Sequence, residues 1–285
     1  MIREMVLFTL AALVVVAALC LAVGAWRWRR ANADLRARLE ASRLAPDVPR
    51  FHAAELVELP APVRRWFEAV LVDGQPIVTA VTVEHAGTFN MGEGSEKWQP
   101  FTSRQRVVTQ RPGFLWDARI KVAPGLSVRV HDAYVAGEGV LHASMFGLVT
   151  VMKLGGSTEV AHGELMRYFA EAAWYPTALL PSQGVRWAAV DDTCALATLA
   201  DGPFSLTMLF RFGADGLLAS ILAESRGRAV GDAVIPTPWE GRWSDYEMQD
   251  GMRVPMSGEV SWILPEGPKP YWRGRITGMS YEFAR

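Results

Sequence analysis

Two cysteines in 285 residues, Cys20 and Cys194, are too few for a disulfide framework, and Cys20 lies in an apolar run. An internal bridge is therefore not expected, and the redox compartment stays open. The five histidines (52, 85, 131, 142 and 162) show no H-E-x-x-H spacing and no C-x-x-C occurs, so no metal site and no cofactor are expected. The G-x-S-x-G elbow, the phosphate-binding loop and the dinucleotide glycine fingerprint are also missing, which removes the main hydrolase, nucleotide and Rossmann signatures. What remains for acid–base chemistry is weak: the neighbours Asp191 and Asp192, the spaced pair Glu164 and Glu171, and His142 with Ser144 on one side of a strand. Basic excess is absent from the bulk of the chain. Residues 46–285 carry 22 basic and 27 acidic side chains, a balance that gives nucleic-acid binding no support. No internal repeat or low-complexity segment stands out. With 50% hydrophobic and 21% charged residues, most of the chain must fold.

The strongest positive signal is Met5 to Trp26, 22 residues without a charge. At ~1.5 Å per residue such a helix spans a hydrocarbon core of about 30 Å. A retained transmembrane anchor over residues 1–26 is expected; the rival is a cleaved signal peptide, since Val23 and Ala25 suit a small-residue cleavage site. Arginines follow at 27, 29, 30, 36, 38 and 43, giving residues 1–45 a net charge of +4. Residues 27–49 read as a basic juxtamembrane helix and linker, with Trp26 and Trp28 suited to the lipid interface. The positive-inside rule puts the following domain in the cytoplasm, with a periplasmic location as the alternative. The bilayer is thus the first expected partner.

Residues 50–285 read as a single β-rich domain. A helix starts behind Pro62 with VRRWFEAVL. Strand-like runs follow near 77–89, 97–110, 114–122, 127–136 and 139–151. A helix-like run covers 163–181, and further strands fall near 185–190, 193–200, 204–213, 216–228, 237–247, 252–264 and 270–283. Pro124-Gly125, Asp201-Gly202 and Asp250-Gly251 mark short turns and hence antiparallel neighbours. The fold class is α+β, mainly antiparallel β. A sheet this long must curl into a large half-barrel or open barrel, with the central helix on its concave face.

Strand parity puts Phe114, Trp116, Ala118, Ile120 and Val122 on one face, and it sets Asp132 among Val128, Val130 and Tyr134. A carboxylate on an apolar face needs a cation. On the helix, Glu164, Arg167, Tyr168, Glu171 and Tyr175 form one stripe, with both glutamates able to reach Arg167. A crevice between helix and sheet would be lined by Trp116, Phe146, Leu165, Phe169 and Trp174, with Asp132, Glu164, Arg167 and Glu171 as its polar groups.

Two resemblances add to this. The strings PGFLWDARI (112–120), RYFAEAAWYPTALLP (167–181, with its W-x-P-T-A-L-L-P core), TPWEGRW (237–243) and YWRGRI (271–276) resemble those of an uncharacterised bacterial family of unknown function, often membrane-tethered. The order of elements is similar to that of periplasmic lipoprotein carriers, which implies helices held over an apolar cavity. The expected function is a membrane-anchored protein that binds a lipid or other apolar ligand. The alternatives are a hydrolase-like enzyme with an acidic site near Asp132, Arg167 and Glu171, and a scaffold domain with a filled core.

Overall fold

The computed structural model describes residues 1–92, 95–231 and 233–285. Helix α1 (Ile2–Ala41) runs unbroken from the apolar segment through the basic one, so the expected linker shrinks to a short stretch after Ala41. A short 3-10 turn (Ala53–Leu56) and helix α2 (Ala61–Val70) follow, the latter with Pro62 in its first turn. Six strands come next: β1 (Val78–Asn90), β2 (Trp98–Val108), β3 (Gly113–Ala123), β4 (Leu126–Val135), β5 (Glu138–Met145) and β6 (Val149–Gly155). Helix α3 (Thr158–Glu171) is capped by Ser157, whose side chain accepts from the Val160 amide. Past Glu171 the backbone tightens into three 3-10 turns ending at Gln183, because Pro176 and Pro181 cannot continue an α-helix. Strands β7 (Arg186–Ala189), β8 (Cys194–Asp201), β9 (Phe204–Phe212), β10 (Leu218–Val230), β11 (Ala233–Gln249), β12 (Met252–Leu264) and β13 (Gly267–Phe283) complete the chain.

All thirteen strands form one antiparallel sheet in the order 6-5-4-3-2-1-13-12-11-10-9-8-7, with β6 and β7 as its edges. The chain descends one half as a meander, crosses by α3 and returns along the other half. The sheet is open but strongly curled, since α3 packs against both β5 and β10 from its concave side. Gly87, Gly274 and Gly258 stand opposite one another on β1, β13 and β12. The Trp272 ring lies over Gly274 and the Trp243 ring over Gly258, so a Cβ there would strike an indole. Buried Trp66 and Phe67 of α2 join this core, Trp66 beside Phe212 and Phe67 edge-on to Trp187.

Two expectations need correction. The run 139–151 is not one strand: Phe146 (φ 56°) and Gly147 (φ 72°) turn the chain between β5 and β6. Nor does Trp28 face lipid. It is buried between α1 and the convex face, stacked on His131 at 4.6 Å and donating to Asp117 Oδ1 at 3.1 Å. Further along α1, Leu39 packs with Ala80, Val108, Leu115, Ala133 and Val135. Arg106 then bridges Glu40 and Glu282 at 2.7 and 2.6 Å. The N-terminal helix is thus a structural layer of the domain as well as an apolar segment.

Candidate functional site

Helix α3 brings its charged stripe against the inner faces of β2, β3 and β4. Arg167 Nε donates to Glu171 Oε1 at 2.8 Å, one guanidinium nitrogen donates to Asp132 Oδ2, and the other to Gln105 Oε1 at 3.3 Å. Gln105 Nε2 in turn donates to Glu171 Oε2. The guanidinium lies 4.9 Å from the ring centres of both Phe114 and Trp116. Burial opposes the charge on Arg167, but Glu171, Asp132 and Glu164 outweigh it, so the arginine is held firmly cationic.

Glu164 does not complete the expected triad. It turns instead to Arg226 of β10, 3.8 Å away, whose guanidinium rests 4.6 Å from the Trp239 ring centre. The Trp239 indole donates to the Tyr271 hydroxyl at 2.8 Å. Burial first, and then the neighbouring Asp132 carboxylate, push the Glu164 carboxyl well above its ordinary range. Asp132 Oδ1 and Glu164 Oε2 are both buried without a partner when the two groups are taken as carboxylates. One proton held by Glu164 and donated to Asp132 satisfies both oxygens. The cluster is then neutral, with two guanidiniums against two carboxylates and one carboxylic acid.

His85 lies beside it, hydrogen-bonded through Nδ1 to Ser103 Oγ at 3.2 Å and packed on Trp174 at 4.9 Å. Burial and the nearby Arg167 charge depress it to about 3, so it is neutral at physiological pH. Its Nε2, like Asp132 Oδ1 and Glu164 Oε2, is a buried polar atom without a partner.

The cluster meets an apolar row. Asp132 stands opposite Leu141 on β5, and Leu141 opposite Leu154 on β6, so all three share the concave face. The parallel row runs Val130, Ala143, Met152. Along the first row exposure rises from Asp132, which is buried, through half-buried Leu141 to Leu154 at 38%, and the second row, half-buried at Val130 and buried at Ala143, ends in Met152 at 45%. The arrangement is a wedge with a charged, aromatic floor and an aliphatic lip. Two surface grooves lie elsewhere. One of about 450 Å³ runs along Arg119, Lys121 and Ser127, and one of about 440 Å³ crosses the glycine row between Arg242 and Arg273. Among the described residues no group of three or more His, Cys, Asp or Glu side chains could hold a metal ion.

Of the residues singled out from sequence, Trp116, Asp132, Arg167 and Glu171 come together around one guanidinium, with Glu164 next to them. Phe169 is buried against Phe210 at 5.5 Å, and Trp174 against Trp243 at 5.1 Å. The space expected beneath the helix at these two residues is filled by side chains. Phe146 lies apart, in the β5–β6 turn against Gly24 of α1. Gln105, Arg226, His85, Trp239 and Tyr271 were not anticipated. Parity on β2 could have found Gln105, which shares its face with Phe101, Ser103 and Val107. Arg226 is hidden by a register shift between Ala223 and Arg226.

Residues 57–281 match DUF6920, a family of unknown function, and the chain belongs to that family. No curated protein matches it significantly. Among solved structures it is similar to a LolA superfamily protein from Nitrosomonas europaea, with 11% identity and a TM-score of 0.42 over 81% of this chain and 94% of that one.

Proposed function

We propose that this member of a family of unknown function is a membrane-anchored binding protein for a lipid-like amphiphile. Its site is the wedge beside α3 rather than a space beneath the helix. The observation that carries this reading is the row Asp132, Leu141, Leu154, which joins a buried, arginine-bearing polar cluster to exposed aliphatic surface on one face. A polar head fits the floor formed by Asp132, Glu164 and Arg226. An acyl chain laid over Leu141, Met152 and Leu154 gains about 0.8 kcal/mol per buried methylene, so a few methylenes outweigh any single hydrogen bond. The apolar part of α1 supports an anchor, being exposed and long enough to cross a bilayer. The arginines from Arg27 to Arg43 favour a cytoplasmic domain.

A second reading, a hydrolase-like enzyme, draws on the proton shared by Glu164 and Asp132, since such a pair can serve as acid and base. Photolabelling separates these from a filled scaffold. The full chain in lipid nanodiscs is irradiated with a diazirine fatty acid and labelled peptides are mapped. Saturable labelling at Val130 and Leu141, competed by unlabelled fatty acid and lost in Leu141→Glu, is expected. Labelling that is confined to α1, or cannot be competed, would leave the scaffold reading in its place.

A further inference from the structure

We infer that the β5–β6 turn and the adjoining edge strand β6 form a membrane-contact surface, a second point of bilayer attachment beside α1. The inference rests on the anchored reading above. Its evidence is where α1 meets the sheet. Leu39 packs at one end of the strands beside Val108 and Val135, Trp28 midway against His131, and Gly24 at the other end against Phe146 and Leu148. From Leu39 to Gly24 the helix rises about 22 Å, and from Val135 back to Val128, which pairs with Met145 beside the turn, the strand covers about 23 Å. Helix and strands therefore run side by side. Residues 2–23 continue past this rim for about 33 Å, the thickness of a bilayer core.

The rim is apolar where it meets the helix. Among the described residues, sixteen large hydrophobic residues after α1 are exposed, and six of them fall from Phe146 to Leu154. Val149, Val151 and Met152 are 61%, 55% and 45% exposed on an edge strand whose one charge is Lys153. An edge left this bare is a liability in water. A methyl group on Gly24 would collide with the Phe146 carbonyl and with Leu148, so the turn is locked to α1 inside the charge-free run Met5–Trp26. Exposed Trp26, Arg27, Arg29 and Arg30 ring the helix just beyond Gly24, where headgroups would lie. In the meander the β10–β11 connection falls at the same end as β5–β6, and it brings exposed Val230, Val234 and Ile235 to that rim. A bilayer is the occupant that fits, because the apolar helix that enters it is held against this surface. The aliphatic lip starts about 7 Å inside that rim at Met152, level with Val130, and Leu154, level with Asp132, lies about 13 Å inside it.

The test uses the full chain in phosphatidylcholine vesicles, with Cys20 and Cys194 replaced by Ala and one new cysteine carrying an environment-sensitive fluorophore. Positions are Leu148→Cys and Val151→Cys on the rim, Leu13→Cys in the apolar helix and Met248→Cys on the far end of the sheet. Expected are a blue shift and quenching by doxyl-labelled lipid at 13, 148 and 151, with neither at 248. Quenching at 13 alone would overturn the second contact and leave the anchor standing. An unquenched label at 13 would overturn the anchored reading, and this one with it.

Discussion

Arg167 holds Asp132 of the sheet and Glu171 of its own helix at once, so a single guanidinium ties α3 to the concave face. Its side chain keeps only 15% exposure. Removing one partner from a buried ionic cluster costs roughly 3–5 kcal/mol, against about 0–1 for an exposed pair. Arg167→Met should therefore lower the melting temperature by roughly 6–20 °C for a domain of this size. Arg275→Met, which breaks surface pairs with Asp245 and Glu247, should barely move it. Equal shifts in the two variants would mean that the cluster is not a tie.

Glu164 gives stability a pH dependence of definite sign. Its folded-state proton affinity is raised, so the unfolded chain loses that proton first as pH climbs. The stabilisation is complete below the ordinary carboxyl value and declines as pH rises through the raised one. Glu164→Gln, which keeps a donor facing Asp132, should flatten the melting temperature between pH 5 and 8 relative to wild type. Parallel profiles would place the proton elsewhere.

His85 acts in the opposite direction. Depressed to about 3, it stays neutral in the folded chain while the unfolded chain protonates near 6.5. Its contribution is present above pH 6.5 and is lost as pH falls, by roughly 2 kcal/mol between pH 6.5 and 5. His85→Phe keeps an aromatic ring against Trp174 and should lose this acid sensitivity. Chemical denaturation at the two pH values measures it, and an unchanged difference would contradict the assignment.

Trp28 couples the apolar helix to the domain through His131 and Asp117. Trp28→Ala should free the helix after Gly24, and trypsin should then cut at Arg29, Arg30 or Arg36 faster than in wild type. Unchanged cleavage would show that Leu39 and the Glu40–Arg106 pair suffice.

Much of the sheet was legible because alternation and turn dipeptides agree along it. Asp250-Gly251, for example, takes the left-handed pair of angles that such a hairpin needs. Asp132 was legible because a carboxylate on an apolar face demands a cation, and Arg167 is that cation. Phe146 was misplaced because the β5–β6 turn lies inside an apolar run with only Gly147 to betray it. Phe169 and Trp174 share α3 and its 3-10 extension with Arg167, yet spacing alone does not say which side of a helix meets a packed core. Arg226 escaped because a bulge reverses the parity of β10. The docking of α1 was hidden in Leu115 and Ala133, outward-facing residues that look incidental until Leu39 covers them.

The wedge beside α3 is tested most directly by native mass spectrometry of the full chain released from detergent. One lipid-mass adduct per chain is expected in wild type, surviving activation that strips the micelle and absent from folded Leu141→Glu. A wild-type chain that emerges bare under the same activation would contradict ligand binding at Asp132, Glu164 and Arg226.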